Sequence, residues 1–304
     1  MAMKIAMTGA TGFVGAEVLA QALGAGMSVQ ALARKARPPQ ARLKWVHGSL
    51  EDGRALDRLV RDVDAVIHIA GVVNAPDRAG FEAGNALGTM ALIDAMRRQG
   101  VRRLVHVSSL AAREPALSDY GWSKELAERH VKASGLDWTI VRPPAIYGPG
   151  DREMLDLFRM ARRGFMLLPP GGRLSVIEVG DLARLLLALA DDRHVSLTQM
   201  YEVDDGTPDG WDHRDFGLAL GQALGRRVKT WSMPRWLLNI GATLDRTMRG
   251  RNAKLTPDRV RYFCHPDWVS TPAAFPPADL WKPGVATAAG LKATAAAYRR
   301  NGWL

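Results

Sequence analysis

A chain of 304 residues that is 47 % hydrophobic and 24 % charged can bury the core of one large α/β domain, or of such a domain with a smaller lobe. No apolar run reaches the roughly 18 to 20 residues of a bilayer span; Leu182 to Ala190 comes nearest and is broken by Arg184. One cysteine, Cys264, excludes an internal disulfide and a cysteine metal cluster, and the net charge of +10 sits almost wholly from Gly210 onward, where 15 Lys/Arg face 6 Asp. That basic third suits an anionic substrate or a membrane surface; no nucleic-acid motif accompanies it, so nucleic acid is excluded as a partner. The chain starts directly on a strand with no signal peptide, which sets the expectation of a cytoplasmic protein without a metal.

The first element is a short apolar strand, Lys4–Thr8, running into Thr8-Gly-Ala-Thr-Gly-Phe-Val-Gly15 and then a helix over 14–23. Three glycines at spacing three, where a strand hands over to a helix, are what a dinucleotide diphosphate needs. Gly9 permits a tight turn, Gly12 lets backbone approach the phosphates, and Gly15 lets the helix sit close to the sheet. The N–H groups of the new helix then face the anion, so Thr8, Gly9, Thr11, Gly12, Phe13, Val14 and Gly15 are the expected diphosphate contacts.

Strands are expected next over 29–33, 43–47, 65–70, 104–107 and 138–141, with helices over 53–60, 84–99 and 119–134 between them. This alternation predicts a doubly wound parallel Rossmann sheet covered by helices on both faces. The strand at 104–107 ends on Ser108 and Ser109, and the following helix carries Tyr120-Gly-Trp-Ser-Lys124. Tyrosine and lysine four apart share a helix face. A lysine cation favours the phenolate of a tyrosine whose free pKa is about 10, which lets the tyrosine move a proton at a carbonyl or alcohol oxygen.

Pro143, Pro144, Pro149, Pro169, Pro170 and neighbouring glycines punctuate the chain beyond residue 143. The expected organisation is a dinucleotide-binding domain over 1–165, completed by parts of 173–205, and a smaller C-terminal substrate-binding lobe drawn mainly from 166–304. A helix over 181–189, a late strand over 200–203 and cap helices over 215–224 and 234–248 are predicted, the last with Ser232 as cap and Pro234 in its first turn. In that helix Trp236, Leu237, Ile240, Leu244 and Met248 fall at helical spacing, among Arg235, Arg246, Arg249, Arg251 and Lys254. Three readings stay open for it: an apolar face packed on the core with a solvated basic face, a surface for lipid or a lipid-like substrate, and a site for an anionic substrate tail.

With these motifs in place the chain resembles the extended short-chain dehydrogenase/reductase superfamily, in its NAD(P)-dependent epimerase/dehydratase-like group, over almost its whole length. Ala65-Val-Ile-His-Ile-Ala-Gly71, Asn85, His106-Val-Ser-Ser109, Arg142-Pro-Pro-Ala-Ile-Tyr-Gly-Pro149, Val179-Gly-Asp-Leu-Ala183 and Ala297-Tyr-Arg-Arg-Asn-Gly-Trp303 carry the likeness. The resemblance implies Tyr120 as general acid/base and Lys124 as the group that holds the nicotinamide ribose and tunes the tyrosine. It implies Ser109, with Ser108 adjacent, as the hydroxyl that orients the substrate oxygen. Leu50, Ala70, Gly71, Lys124 and Pro143 join the expected cofactor contacts, Asn85 stands between site support and an ordinary helix start, and a homodimer through two helices is implied.

Three choices within the family refine this. The second strand ends on Arg34, Lys35 and Arg37, where NAD-selective relatives place an acidic residue, so NADP (NADPH) is favoured over NAD. Ser49 stands where the adenine-side turn usually has Asp, which weakens the side-chain hold on adenine. Ala145 stands where nucleotide-sugar epimerases often carry an Asn that meets the nucleotide phosphates, and the proline-rich form is closer to the hydroxysteroid dehydrogenase and ketone-reductase branches. Only ten residues separate Ser109 from Tyr120, which implies a more open pocket than in many epimerases. The leading expectation is therefore an NADP-dependent oxidoreductase acting on a carbonyl or secondary alcohol, with an apolar or lipid-like molecule as one substrate class. A nucleotide-sugar epimerase or dehydratase and a non-catalytic NADP-binding regulator or assembly factor are the alternatives.

Overall fold

The computed structural model describes residues 2–191, 196–250 and 255–304. Arg251 and Lys254, counted above among the basic residues of the cap, lie outside the described residues, as does the side chain of Arg246. By its internal contacts the chain divides into two compact units, one of Met1–Arg142, Leu182–Glu202 and Ala274–Trp281, the other of Pro143–Asp181, Val203–Ala273 and Lys282–Leu304.

The first unit is built on the strands β1 (Lys4–Thr8), β2 (Ser28–Ala33), β3 (Leu43–His47), β4 (Ala65–His68), β5 (Arg103–Val107) and β6 (Asp137–Arg142). With Gln199–Glu202 they form a seven-stranded, wholly parallel sheet in the order Gln199–Glu202, β6, β5, β4, β1, β2, β3. β4 and β5 are buried at every position, as strands covered on both faces must be. The sheet grows in opposite directions from β1, towards β2 on one side and β4 on the other, and the crevice at that switch point is where doubly wound sheets bind ligands. The register pairs Thr8 with His68 and His68 with His106, so the last residues of β1 and β4 lie level at the edge of that crevice.

Its first 142 residues supply the helices α1 (Phe13–Gly24), α2 (Gly53–Val60), α3 (Arg78–Phe81), α4 (Gly88–Gln99) and α5 (Asp119–Lys132), and most of a later helix, Val179–Asp191, belongs to it as well. Each follows a local cause. Asp52 caps α2 by accepting the Ala55 N–H at 3.0 Å, and Ala55, Leu56, Leu59 and Val60 form its buried face. Ser118 caps α5 by accepting the Gly121 N–H at 3.0 Å, with Asp119 in the first turn and Arg129, His130 and Lys132 in the last, all favourable to the helix dipole. The predicted helix over 84–99 is in fact two pieces: α4 is preceded by a π-helical turn, Glu82–Leu87, which places Asn85. Leu56, Leu59, Leu92, Met96, Leu104 and Ile140 fill the core between these helices and the sheet.

The second unit has its own core of Tyr147, Phe158, Met166, Phe216, Leu220, Leu291 and Tyr298. Two small parallel pairs belong to it, Ala145–Tyr147 with Val176–Glu178, and Phe165–Leu168 with Lys229–Ser232. Ser232 does not cap the following helix: it ends a strand and donates its hydroxyl to the Pro169 carbonyl at 3.3 Å, while the Pro234 carbonyl accepts from the Leu237 and Leu238 N–H groups. That helix, Arg235–Arg249, turns Leu238, Gly241, Ala242 and Asp245 inward and leaves Trp236, Ile240, Leu244 and Met248 exposed. The reading in which the predicted apolar stripe packs on the core is therefore corrected. The small residues Gly241 and Ala242 let the opposite face approach, and of the stripe only Leu237 is half-buried.

Among the described residues no helix is long and apolar enough to cross a membrane, and no cluster of three or more His, Cys, Asp or Glu has a metal-binding arrangement.

Candidate active site

The turn after β1 has the geometry its sequence predicts. Gly9 has φ +76°, and a Cβ there would lie 2.7 Å from the Ala70 backbone nitrogen. A Cβ on Gly15 would lie 2.1 Å from the Gly9 carbonyl oxygen, so α1 sits against the turn at a distance only glycine allows. Gly12 occupies the N-cap position and brings no side chain to it, which leaves the N–H groups of Phe13, Val14 and Gly15 for a ligand. Thr11 is exposed and Phe13 and Val14 half-buried at this end. An open helix start after a turn in which Cβ atoms at Gly9 and Gly15 would strike backbone fits a dinucleotide diphosphate. Thr8 serves that cradle from behind: fully buried, its hydroxyl accepts from the Ile69 and Ala70 N–H groups at 3.2 and 3.1 Å and so fixes the loop at the end of β4.

From Thr8 a buried chain of hydrogen bonds runs to α5. Thr8 Oγ1 lies 2.6 Å from His68 Nδ1, His68 Nε2 lies 2.9 Å from Thr89 Oγ1, and Thr89 donates to the Asn85 carbonyl at 2.6 Å. The single Thr89 proton is spent on Asn85, so His68 Nε2 carries the proton and Nδ1 accepts from Thr8. Asn85 in turn takes the Val72 N–H at 2.8 Å and donates from Nδ2 to the Val72 carbonyl at 3.0 Å and to Ser123 Oγ at 2.9 Å. Ser123 donates to the Tyr120 carbonyl at 2.8 Å. Asn85 thereby ties the loop after β4 to α5, where the sequence left it equal between site support and an ordinary helix start. Burial first, and then the Lys124 charge, hold the His68 imidazole neutral, with a pKa lowered to about 3. His106, its ring centroid 5.3 Å from that of His68, is also pushed well below its ordinary value by burial, Lys124 and His68, and neither of its ring nitrogens has a partner among the described residues.

Tyr120 and Lys124 lie one turn apart on α5, and Gly121 lets the helix approach: a Cβ there would meet the Ala111 carbonyl oxygen at 2.5 Å. The Tyr120 ring is half-buried, with the Phe81 ring centroid at 6.1 Å. Lys124 is buried and donates from Nζ to the Val107 carbonyl at 2.7 Å. A Cβ on Gly71 would lie 3.9 Å from the same Nζ, so the lysine head is held between the ends of β4 and β5. Burial lowers its pKa to about 8 against the opposing pull of Glu128.

The two serines at the end of β5 part company. Ser108 donates to Glu128 Oε1 at 2.6 Å inside a buried ionic cluster. Ser109 begins the 3₁₀ turn Leu110–Arg113, where its Oγ accepts the Ala111 N–H at 3.2 Å and keeps its own proton to give. The cluster around Ser108 escaped the sequence reading. Arg142, the last residue of β6, meets both carboxylate oxygens of Glu128 on α5 at 2.8 and 2.6 Å, and Glu202 lies 3.8 Å from Arg142 and 3.6 Å from Arg113. Burial opposes the Arg142 charge, yet the hydrogen bonds and charge of Glu128, with Glu202 beyond, raise its pKa above the ordinary value. Nothing in local sequence pairs positions 128, 142 and 202; a buried charge at a strand end was the one available hint.

On the far side of the glycine turn, Arg34, Lys35 and Arg37 follow β2 in exposed chain, with the Arg37 guanidinium 5.1 Å from the centre of the Trp45 ring. Ser49 accepts the Glu51 N–H at 3.3 Å, and Leu50 leans on the start of α4, where a Gly88 Cβ would meet it at 2.7 Å. Pro143, the first residue after β6, is buried, and Ala145 is exposed at the head of its short strand.

The chain matches the family model described as NAD(P)H-binding over residues 9–193. It is 34 % identical to the ceramide reductase of Caulobacter vibrioides over 99 % of this chain and 96 % of that protein. It is 29 % identical to the 2-alkyl-3-oxoalkanoate reductase of Stenotrophomonas maltophilia over 88 % and 91 %. In fold it is similar to the Thermus thermophilus UDP-glucose 4-epimerase solved with NAD, with a TM-score of 0.69, 21 % identity, and 98 % and 99 % of the two chains covered.

Proposed function

Since this chain belongs to the extended short-chain dehydrogenase/reductase superfamily, as an enzyme that takes a nicotinamide cofactor, we propose that it is an NADPH-dependent reductase of a ketone on a lipid-like molecule. The observation that carries this reading is Lys124, buried under the Val107 carbonyl one helical turn from Tyr120 and level with Gly71. A cation held there has an obvious use beside a phenol that must give up and regain a proton.

Gly9, Gly12 and Gly15, with the N–H groups of Phe13 to Gly15, would hold the diphosphate. Ala70, Gly71, Lys124 and Pro143 would hold the nicotinamide half, and Leu50 the adenine. When bound, the cofactor supplies the hydride that reduces the carbonyl carbon. Ser109 donates a hydrogen bond to the substrate oxygen and orients it. Tyr120 delivers a proton to that oxygen as negative charge develops on it, and the Lys124 ammonium stabilises the phenolate left behind. Ser108, committed to Glu128, holds α5 in place and stays out of the chemistry.

Arg34 and Lys35 would pair with a 2′-phosphate, which supports NADPH over NADH. A lipid-like substrate is supported by the ceramide and 3-oxoalkanoate reductases named above. Ala145 argues against the epimerase reading, since it cannot supply the amide that some nucleotide-sugar enzymes aim at the phosphates. The test is turnover of NADPH and of NADH over a panel of lipid ketones, with nucleotide sugars as controls. Turnover restricted to NADH, or epimerised sugar with retained NAD, would sink the proposal, as would full activity in Tyr120→Phe.

A further inference from the structure

The helix Arg235–Arg249 carries a feature that the reaction at α5 does not use. Trp236, Ile240, Leu244 and Met248 recur every fourth residue on its outer side and are 61, 50, 57 and 83 % exposed. They form one row about 18 Å long on a helix rising 1.5 Å per residue. Trp231, on the strand leading into the helix, is 50 % exposed, and Leu167, its register partner on the neighbouring strand, 44 %. A row of large apolar side chains of this length in water marks an interaction surface.

Charge selects what covers it. Between Arg226 and Arg261 the sequence has ten Lys/Arg against two Asp, a net +8 of the chain's +10. Arg226, Arg227 and Lys229 are exposed on the approach, Arg235 beside Trp236, and Arg249 at the far end. Asp245, the one acid on the helix, is turned from the row: it accepts the Leu255 N–H at 2.8 Å and pairs with Arg249 at 3.2 Å. A second copy would bring the same positive charge against it, which disfavours self-association. An apolar row with tryptophan at one end, Arg235 beside it in sequence and exposed Arg226, Arg227 and Lys229 in the chain leading to it matches a helix lying in the plane of an anionic bilayer surface.

We propose that the outer face of the helix Arg235–Arg249 docks on an anionic phospholipid surface, with Trp236, Ile240, Leu244 and Met248 entering the headgroup boundary and the flanking arginines meeting lipid phosphates. The inference stands on the second unit alone and is independent of which ketone is reduced.

The experiment is flotation of the full chain with vesicles of phosphatidylcholine alone and of phosphatidylcholine mixed with phosphatidylglycerol, at low and high salt. Protein should float with the anionic vesicles at low salt and be released as salt screens the attraction. In the variant Trp236→Ser/Ile240→Ser/Leu244→Ser/Met248→Ser the partition coefficient should fall at least about tenfold with NADPH binding unchanged, since each lost apolar contact weakens insertion. Charge reversal by Arg226→Glu/Arg227→Glu/Lys229→Glu should abolish the preference for phosphatidylglycerol. Wild-type protein that stays at the bottom with anionic vesicles at low salt, or a serine variant that floats like wild type, overturns the proposal. So does a wild-type dimer that the serine variant converts to monomer, which would assign the face to a second copy. None of these outcomes touches the turnover test of the reductase reading.

Discussion

The amide of Asn85 donates to Ser123 Oγ at 2.9 Å and thereby ties the π-helical turn before α4 to the helix that carries Tyr120 and Lys124. The same amide clamps Val72 by both its N–H and its carbonyl, so one side chain sets the loop after β4 and the height of α5 together. π-turns of this kind are rare and recur at functional sites.

Asn85→Ala should therefore act on turnover through position. Two bonds to Val72 and one to Ser123 are lost, and the expected destabilisation is about 2 kcal/mol. The kcat should fall at least about tenfold, as misplacement of a proton donor costs rate, while the dissociation constant for NADPH changes little. Urea unfolding and steady-state kinetics on the same preparation separate the two effects. Unchanged kcat with lowered stability would confine Asn85 to a scaffold role.

Lys124 titrates within reach of experiment. Its folded pKa of about 8 lies below its ordinary 10.5, so between those limits the unfolded chain holds a proton that the folded chain has released, and folding becomes more favourable as pH rises. The gain is up to about 3 kcal/mol across this window. Measured by urea midpoints, a stability advantage of Lys124→Met over wild type near neutrality should shrink steadily towards pH 10. Activity should move the other way, with kcat/KM for NADPH declining above pH 8 as the cation is lost. A pH-independent difference between the two proteins would refute the shifted lysine.

His68 gives the opposite flank. Buried and neutral, with a pKa lowered to about 3 against 6.5 unfolded, it contributes stability that is complete above pH 6.5 and is lost as pH falls towards 3, where only the unfolded chain takes up a proton. The loss reaches about 5 kcal/mol at the acid end. Substitution by Gln, which can still donate to Thr89, should flatten thermal stability between pH 6.5 and 4 relative to wild type. An equally steep acid loss in His68→Gln would move the effect to other groups.

Glu128→Gln tests the buried cluster behind Ser108. It leaves Arg142 short of its bidentate partner, and breaking a buried pair by removing one charge costs about 3 to 5 kcal/mol. The variant should melt well below wild type, and the paired change Glu128→Gln/Arg142→Met should recover part of the loss. If the double variant is no more stable than the single one, the cost does not come from an orphaned guanidinium.

Much of the first unit was legible in the sequence because its signals are local. Lys4–Thr8 and Gly53–Val60 match their predicted bounds, since a buried parallel strand reads as an apolar run and a helix as a capped period. Gly9 and Gly15 announce a turn that no other residue permits. The contact of Ser108 with Glu128 was not legible, because only the surroundings of two adjacent residues at a strand end say which of them meets the carboxylate. The fate of the stripe on Arg235–Arg249 was hidden for a related reason: helical spacing shows that four apolar residues share a face but not which way that face turns.

The sequence by itself determined the order of strands and helices, the glycine cradle and the pairing of Tyr120 with Lys124, all of which depend on residues within a few positions of one another. Only the tertiary structure decided what surrounds them. Glu128, Arg142 and Glu202 meet, His68 hands a chain of hydrogen bonds to Asn85 and Ser123, and Trp236 to Met248 face water. Each of these rests on contacts between residues far apart in sequence, or on burial, and burial is a property of the packed molecule rather than of any stretch of chain.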